Sequence, residues 1–321
     1  MRQSTHTHMP FLIVVFLLLP FLSGCGNAMK YVFHYTRDIK QTPAAIDLDY
    51  RDVYFHNADG TRLHGWYVPG DPEKPVVLYF HGNAANISYR VDNLAYLHRL
   101  GVSVFIFDYR GYGQSDGEPL SENDLYEDGR AACKQLFQLG WERENTIFFG
   151  RSLGAAVALQ IALELEPAQL IMEAPFTSIA DIAWHTAPLS FGMFGRWNGV
   201  RGFNNLEKIG QLNLPLLMIH GGKDIVVPTE MGLRLFAAAT EPKSFLEISD
   251  AGHSDCHIAG GEKYRSAWLS IIHQIQEISM ADKVQRSSTS SNNDPGSAIK
   301  RQSSNSINSS AASPGPSGSN L

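Results

Sequence analysis

The sequence predicts an α/β fold: a mostly parallel, eight-stranded sheet with helices on both faces and a small lid. Six short, continuous apolar runs recur through the middle of the chain, as expected of strands buried on both faces. Between them lie stretches with apolar residues at helical spacing, and such alternation makes the helices crossovers between parallel strands. A hairpin precedes the first run and completes the count of eight.

The chain opens with Arg2 as its only early charge, then a nearly unbroken apolar run at 11–22, then Leu22-Ser23-Gly24-Cys25. The run falls short of the roughly 20 residues a membrane-spanning helix needs, so it reads as a secretory leader. Leu22 to Cys25 resemble a bacterial lipobox. That resemblance implies a signal peptide over 1–24, cleavage after Gly24 and lipidation of Cys25. The alternatives are an ordinary secretory peptide or an uncleaved anchor. Gly26 in place of aspartate resembles lipoproteins sorted to an outer membrane, so the expected location is the bacterial cell envelope, with the chain lipid-anchored.

Residues 53–57 and 62–68, separated by Asp59-Gly60, form the expected antiparallel hairpin. The runs at 75–80, 102–108, 146–149, 170–173, 214–220 and 244–248 are the buried strands. Helical patterns occupy 88–100, 122–139, 153–165, 230–239 and 262–278. The stretch 176–211 breaks the alternation: it carries Trp184, Phe191, Met193, Phe194 and Trp197 with no clear strand. It is expected to be a helical excursion that packs its aromatics on the core, a lid whose aromatics line an acyl pocket, or both. From 286 to 321 the chain is Ser, Asn, Gly and Pro with almost no large apolar side chains. Such a tail cannot bury enough surface to offset its ordering entropy and is expected to be disordered. One catalytic domain over 25–285 remains, a size that a single core of about 250 residues can hold.

The formal net charge of the 321 residues is -6, which excludes a nucleic-acid partner held by phosphate contacts. Three cysteines, Cys25, Cys133 and Cys256, lack the CxxC pairing of a zinc or redox site. No metal or organic cofactor is expected, and the protein is expected to be a monomer.

Gly150-Arg151-Ser152-Leu153-Gly154 follows the apolar run at 146–149 and opens a helical pattern. That context suits a nucleophile elbow: a turn so tight that flanking glycines avoid clashes, with the Ser152 hydroxyl raised above the sheet. A serine hydroxyl needs a base. His253, just after the final strand in Asp250-Ala251-Gly252-His253, is the candidate, and His257 is the weaker one. His81 and His220 end strands before glycine and read as loop-shaping residues. The orienting acid is Asp224, in the loop after the penultimate strand, in preference to Asp250, Asp255 or Asp181. The oxyanion of a tetrahedral intermediate needs backbone donors. Leu153, directly after the nucleophile, supplies one, and Asn83 in His81-Gly82-Asn83-Ala84 supplies the other.

These residues, in the order Ser, Asp, His, resemble the α/β-hydrolase superfamily. Within it, His81-Gly82-Asn83-Ala84-Ala85-Asn86, Phe107-Asp108-Tyr109-Arg110-Gly111-Tyr112-Gly113 and His220-Gly221 with Asp224 are similar to a short-lidded group of membrane-associated esterases, thioesterases and acyl hydrolases. The resemblance covers about 53–278 and implies an α/β-hydrolase fold, a structural role for the Arg110 turn and hydrolysis of a small-molecule or lipid acyl substrate. Ester or thioester cleavage through an acyl-Ser152 intermediate is the expected reaction. An amidase or peptidase of the same fold, or a non-catalytic binding protein tethered to the surface, are the alternatives.

Overall fold

A computed structural model describes residues 32–186 and 201–292; Cys25, and with it the expected signal peptide, lies outside the described residues, as do Phe191, Met193, Phe194 and Trp197 of the expected lid. The chain divides into two units at Gln276/Glu277, and the sheet belongs wholly to the first. Its strands are β1 (Arg51–His56), β2 (Arg62–Val68), β3 (Val76–Phe80), β4 (Ser103–Asp108), β5 (Thr146–Arg151), β6 (Gln169–Glu173), β7 (Leu216–Gly221) and β8 (Lys243–Ile248). They lie in the order β1-β2-β4-β3-β5-β6-β7-β8. β1 pairs antiparallel with β2, and β2 with β4; every other pairing is parallel. The eight-stranded α/β-hydrolase architecture is therefore the observed one.

Successive side chains on a strand point to opposite faces, and the sheet separates them accordingly. Val76, Leu78 and Phe80 join one buried cluster with Phe107, Phe148 and Met172. Val77 and Tyr79 join another with Ile106, Phe149 and Ile171. Helices α1 (Val91–Arg99), α2 (Glu122–Gln138) and α3 (Leu153–Leu165) follow β3, β4 and β5 in turn. α1 packs its Leu94 and Leu97 into the second cluster, whereas α2 and α3 pack into the first. Each fully buried aliphatic or aromatic side chain contributes about 1.5–3 kcal/mol, so the two-faced core accounts for the continuous apolar runs.

Local signals set the element ends. α2 begins at a capping box in which the Ser121 hydroxyl accepts from the Asp124 N–H and the Asp124 carboxylate from the Ser121 N–H. The Arg110 turn is held to the start of this helix region: its guanidinium donates to Asp128, Asp59 and Asp124 at 2.9–3.2 Å, and its contacts are structural.

Several of the expected elements differ from the structure. The pattern over 88–100 is broken into a 3-10 turn (Ile87–Tyr89) and α1, because the Asn86 side chain accepts from Ser88 N–H and starts a separate turn. β8 is not buried on both faces; it is an edge strand on which Lys243, Ser244, Phe245 and Glu247 retain exposure. The irregular stretch contains α4 (Ile179–Thr186), then α5 (Asn205–Lys208) and a 3-10 turn (Ile209–Gln211). Phe176 and Phe203 are buried in the core, whereas Trp184 is 56% exposed.

After β7 come α6 (Thr229–Ala238), the short α7 (Cys256–Ala259) and α8 (Gly261–Asn292). α8 extends to Asn292, beyond the expected end at 278 and into the region from 286 expected to be disordered; residues 293–321 lie outside the described residues. Among the described residues no helix is long and apolar enough to cross a membrane.

Candidate active site

Ser152 sits between β5 and α3 with φ 54° and ψ -117°, a left-handed conformation that costs a non-glycine residue on the order of 1–3 kcal/mol and persists only where its surroundings impose it. The neighbours impose it here. A Cβ on Gly154 would overlap the Phe80 carbonyl, and one on Gly150 would overlap the backbone of Gly154 and Ala155. The turn therefore closes only with glycine on both sides. The Ser152 N–H donates to the Glu173 carbonyl at 2.9 Å, and the serine side chain does not cap its own helix, which leaves the hydroxyl uncommitted to the turn.

Asp224 and His253 come from the loops after β7 and β8, neighbouring parallel strands. His253 Nδ1–H donates to Asp224 Oδ2 at 2.8 Å, while Asp224 Oδ1 accepts from the N–H groups of Val226 and Val227 at 2.9 Å each. With Nδ1 protonated, Nε2 is the basic nitrogen of this tautomer. The Asp224 carboxylate is fully buried and the His253 ring is 20% exposed. Burial alone would raise the Asp224 carboxyl. The hydrogen bonds and charge contributed by His220, His253 and Val227 outweigh it and hold the group far below the usual carboxylate range.

His257 is separate from this pair: its Nδ1 faces Asn93 Nδ2 at 3.2 Å, and burial lowers the imidazole to about 4. Asp250 binds Lys223 at the surface, and Asp255 accepts the Gly252 N–H at 2.7 Å. Asp181 accepts from Thr177 in the α4 region.

The loop after β3 runs beside the elbow: a Cβ on Gly82 would lie 3.6 Å from Ser152 Cβ. Leu153 holds the first position of α3, where the N–H lacks a partner within the helix. Neither its amide nor that of Asn83 donates to a backbone carbonyl among the described residues. The Asn83 side chain is committed elsewhere, accepting from His34 N–H and the Tyr112 hydroxyl and donating to the Val32 carbonyl.

Sequence reasoning missed two buried groups beneath the site. His220, expected to shape its loop, donates Nε2–H to the Val227 carbonyl at 2.9 Å and lies 3.5 Å from Asp224 Oδ2. Arg151, the variable residue of the elbow motif, is buried with its guanidinium 3.9 Å from Glu173 and donates to the Ser254 carbonyl at 3.3 Å and to Asn93 at 3.4 Å. It thereby spans from the elbow to the residue after His253. Glu173 also accepts from the Tyr264 hydroxyl at 2.8 Å; burial raises its carboxyl despite Arg151 and Tyr264. The available signal was a charged residue closing each of two apolar strands.

Cys133 and Cys256 are free and buried, and burial pushes both thiols up, which makes them poor nucleophiles. A cavity of about 430 Å³ borders Asp224 and is lined by His185, Ile225, Pro228 and Leu233, but by neither Ser152 nor His253.

Residues 71–200 match the family described as serine aminopeptidase, S33. The chain is 39% identical over 219 residues to an uncharacterized protein of Mycobacterium tuberculosis, covering 66% of this chain and 75% of that one. It is 32% identical over 243 residues to an α/β-hydrolase domain-containing protein of Arabidopsis thaliana, covering 70% and 78% of the two chains. Among solved structures, an esterase of Pyrococcus furiosus superposes with a TM-score of 0.64 at 21% identity, over 75% of this chain and 97% of that one.

Proposed function

The chain belongs to the α/β-hydrolase family, and from that premise we propose that it cleaves a carboxylic ester or thioester through an acyl-Ser152 intermediate. The observation that carries this reading is the buried, 2.8 Å Asp224–His253 bond at the sheet edge where Ser152 holds its strained turn. In the first half, Ser152 Oγ bonds to the carbonyl carbon as its proton passes to His253 Nε2. The carbonyl electron pair becomes an oxyanion, met by the amides of Leu153 and Asn83. Collapse breaks the bond to the leaving oxygen or sulfur, which takes the proton from His253. Water then attacks the acyl-serine, again giving its proton to His253, and the acid leaves as Ser152 regains a proton. Asp224 holds the productive tautomer and stabilises the imidazolium.

The family description of a serine aminopeptidase supports a second reading, amide cleavage by the same groups. Fluorophosphonate labelling tests the nucleophile, with Ser152→Ala expected to abolish labelling and lower kcat by about 10⁴–10⁶. Turnover of p-nitrophenyl esters of graded chain length, set against matched p-nitroanilides, separates the two substrate classes. Substantial activity left in Ser152→Ala removes the mechanism altogether. A chain that is neither labelled nor active leaves the non-catalytic binding role. The organisation that goes with this reading is a signal peptide over 1–24, a hydrolase domain over 25–285 and anchoring in the cell envelope through lipidated Cys25.

A further inference from the structure

The segment from Val32 to Lys40 runs without regular secondary structure across the loop that follows β3. On the segment's side its hydrogen bonds to that loop are all main-chain, whereas on the loop's side most come from the Asn83, Asn86 and Ser88 side chains. The Val32 carbonyl accepts from Asn83 Nδ2 at 2.6 Å, and the His34 N–H donates to Asn83 Oδ1 at 3.0 Å. The Ala85 N–H donates to the His34 carbonyl at 3.0 Å, and Tyr35 forms a parallel bridge with Ala85. Asn86 Nδ2 donates to the carbonyls of Thr36 and Asp38 at 2.9 Å each, and the Lys40 N–H donates to Ser88 Oγ at 2.9 Å. The segment is itself fixed at further points, among them the Thr36 carbonyl, which accepts from the Gly113 N–H at 2.9 Å. Phe33 is buried in the core, and Arg37 donates to the carbonyls of Ser115 and Gly117 at 3.1 and 2.9 Å.

The loop needs such support. Ala85 has φ 65°, a left-handed conformation that a residue with a Cβ adopts only under constraint. Its N–H is the group that pairs with His34. Asn83, two residues earlier, has both oxygen lone pairs occupied, by His34 and the Tyr112 hydroxyl, and one amide hydrogen given to Val32. Side-chain bonds of this kind place the backbone to which they belong, and an oxyanion donor stabilises charge only when it is already in place.

We propose that residues 32–40 are a positioning strap that, by clamping the Asn83 side chain and pairing with Ala85, sets the Asn83 main-chain amide as an oxyanion donor. The strap touches no reacting atom and acts through the loop. This inference rests on the acyl-transfer reading of Ser152. It makes the stretch ahead of the hydrolase sheet part of the catalytic apparatus.

The test uses the full chain, ester hydrolysis and inhibition by a trifluoromethyl ketone, which adds to a serine hydroxyl as an oxyanion-bearing hemiketal. Asn83→Ala keeps the main-chain N–H and removes three side-chain bonds. It is expected to lower kcat about tenfold or more, short of the 10²–10³ that losing an oxyanion donor costs, with KM within about twofold. The inhibition constant should rise in parallel with the fall in kcat/KM, since transition-state analogues report the same contacts. Arg37→Ala, at the surface and away from Asn83, should show the same pattern to a smaller degree, and it decides the matter should Asn83→Ala fail to fold. A folded Asn83→Ala with unchanged kcat and inhibition constant overturns the strap. So does a fall in thermal stability with no parallel loss of inhibitor affinity. A wild-type chain that neither binds the ketone nor reacts with fluorophosphonate overturns the acyl-transfer reading instead.

Discussion

His220 Nε2 lies 3.5 Å from Asp224 Oδ2, the same oxygen that His253 Nδ1 binds at 2.8 Å, so a second, fully buried imidazole faces the orienting carboxylate. Together with the Val226 and Val227 amides it surrounds Asp224 with donors, and the carboxyl is held far below its ordinary value although burial opposes this. The consequence for pH follows from the sign. Because the native carboxyl releases its proton at lower pH than the unfolded one, Asp224 stabilises the fold fully above about pH 3.9. That stabilisation is lost as pH falls through the lower native value. His220→Asn weakens the cage, so acid unfolding should begin at higher pH and neutral stability should fall by about 1 kcal/mol. An acid midpoint identical to wild type, measured by circular dichroism, would show that His220 gives Asp224 nothing.

Asp224→Asn should leave KM close to wild type and lower kcat by about 10⁴, because an amide can hold His253 in the unproductive tautomer. Asp250, paired with Lys223 at the surface, should tolerate the same change. Asp255 supports the Gly252 N–H and should show an intermediate, smaller loss. Steady-state kinetics on the three variants rank them, and a larger effect at Asp250 or Asp255 would reassign the acid.

Gly154→Ala adds one methyl group where the Phe80 and His81 carbonyls already stand. Neither is the end of a flexible side chain, so the turn or β3 must shift. A loss of about 2 kcal/mol or more is expected, within the usual range for overpacking, together with slowed fluorophosphonate labelling. Gly60→Ala meets no neighbour within 4 Å and is the matched control for the labelling rate, although its φ of 87° carries its own local strain. Normal labelling in Gly154→Ala would contradict the account of the elbow.

Asp108, at the end of β4, is fully buried 3.5 Å from His81 Nε2. Burial raises its carboxyl to about 8, against the pull of the Ile87 N–H, Arg90 and the Gln114 N–H. The native state thus keeps a proton that the unfolded chain loses near pH 3.9, so this group makes stability fall as pH rises towards 8. His81, lowered to about 3 from 6.5 chiefly by burial, adds no slope above 6.5. Asp108→Asn should therefore flatten the decline between pH 6.5 and 8 by about 1 kcal/mol or more, a single pKa unit being worth about 1.4. Urea midpoints at the two pH values give the reading, and an unchanged gap would falsify it.

Cys25→Ser tests the proposed anchor. Several alkyl chains, each worth about 0.8 kcal/mol per buried CH₂, hold a protein to a membrane where one chain is marginal. The variant should remain unprocessed or move to the soluble fraction. Mass spectrometry of the mature wild-type N-terminus decides the matter, and an unmodified terminus at any residue other than Cys25 removes the lipoprotein proposal while leaving the hydrolase one standing.

The alternation of apolar runs with helical patterns determined the sheet and its helices, because a strand buried on both faces and an amphipathic helix are local arrangements written in neighbouring residues. The glycines around Ser152 were readable for the same reason, since a turn that tight constrains the residues within it. What surrounds each side chain was not local. Asp224, Asp250 and Asp255 are the same residue type within reach of His253 along the chain, and only the adjacency of β7 and β8 brings Asp224 to 2.8 Å while Asp250 turns to Lys223. β8 keeps partly exposed side chains as the last strand of the sheet, with no further strand paired to its outer edge among the described residues, a fact about its neighbours and not its own composition. The contacts of Val32 and His34 with Asn83, some 50 positions away, are mostly main-chain on the strap side. Main-chain groups are the same in every residue, so those contacts left no mark in the sequence, and tertiary structure alone decided them.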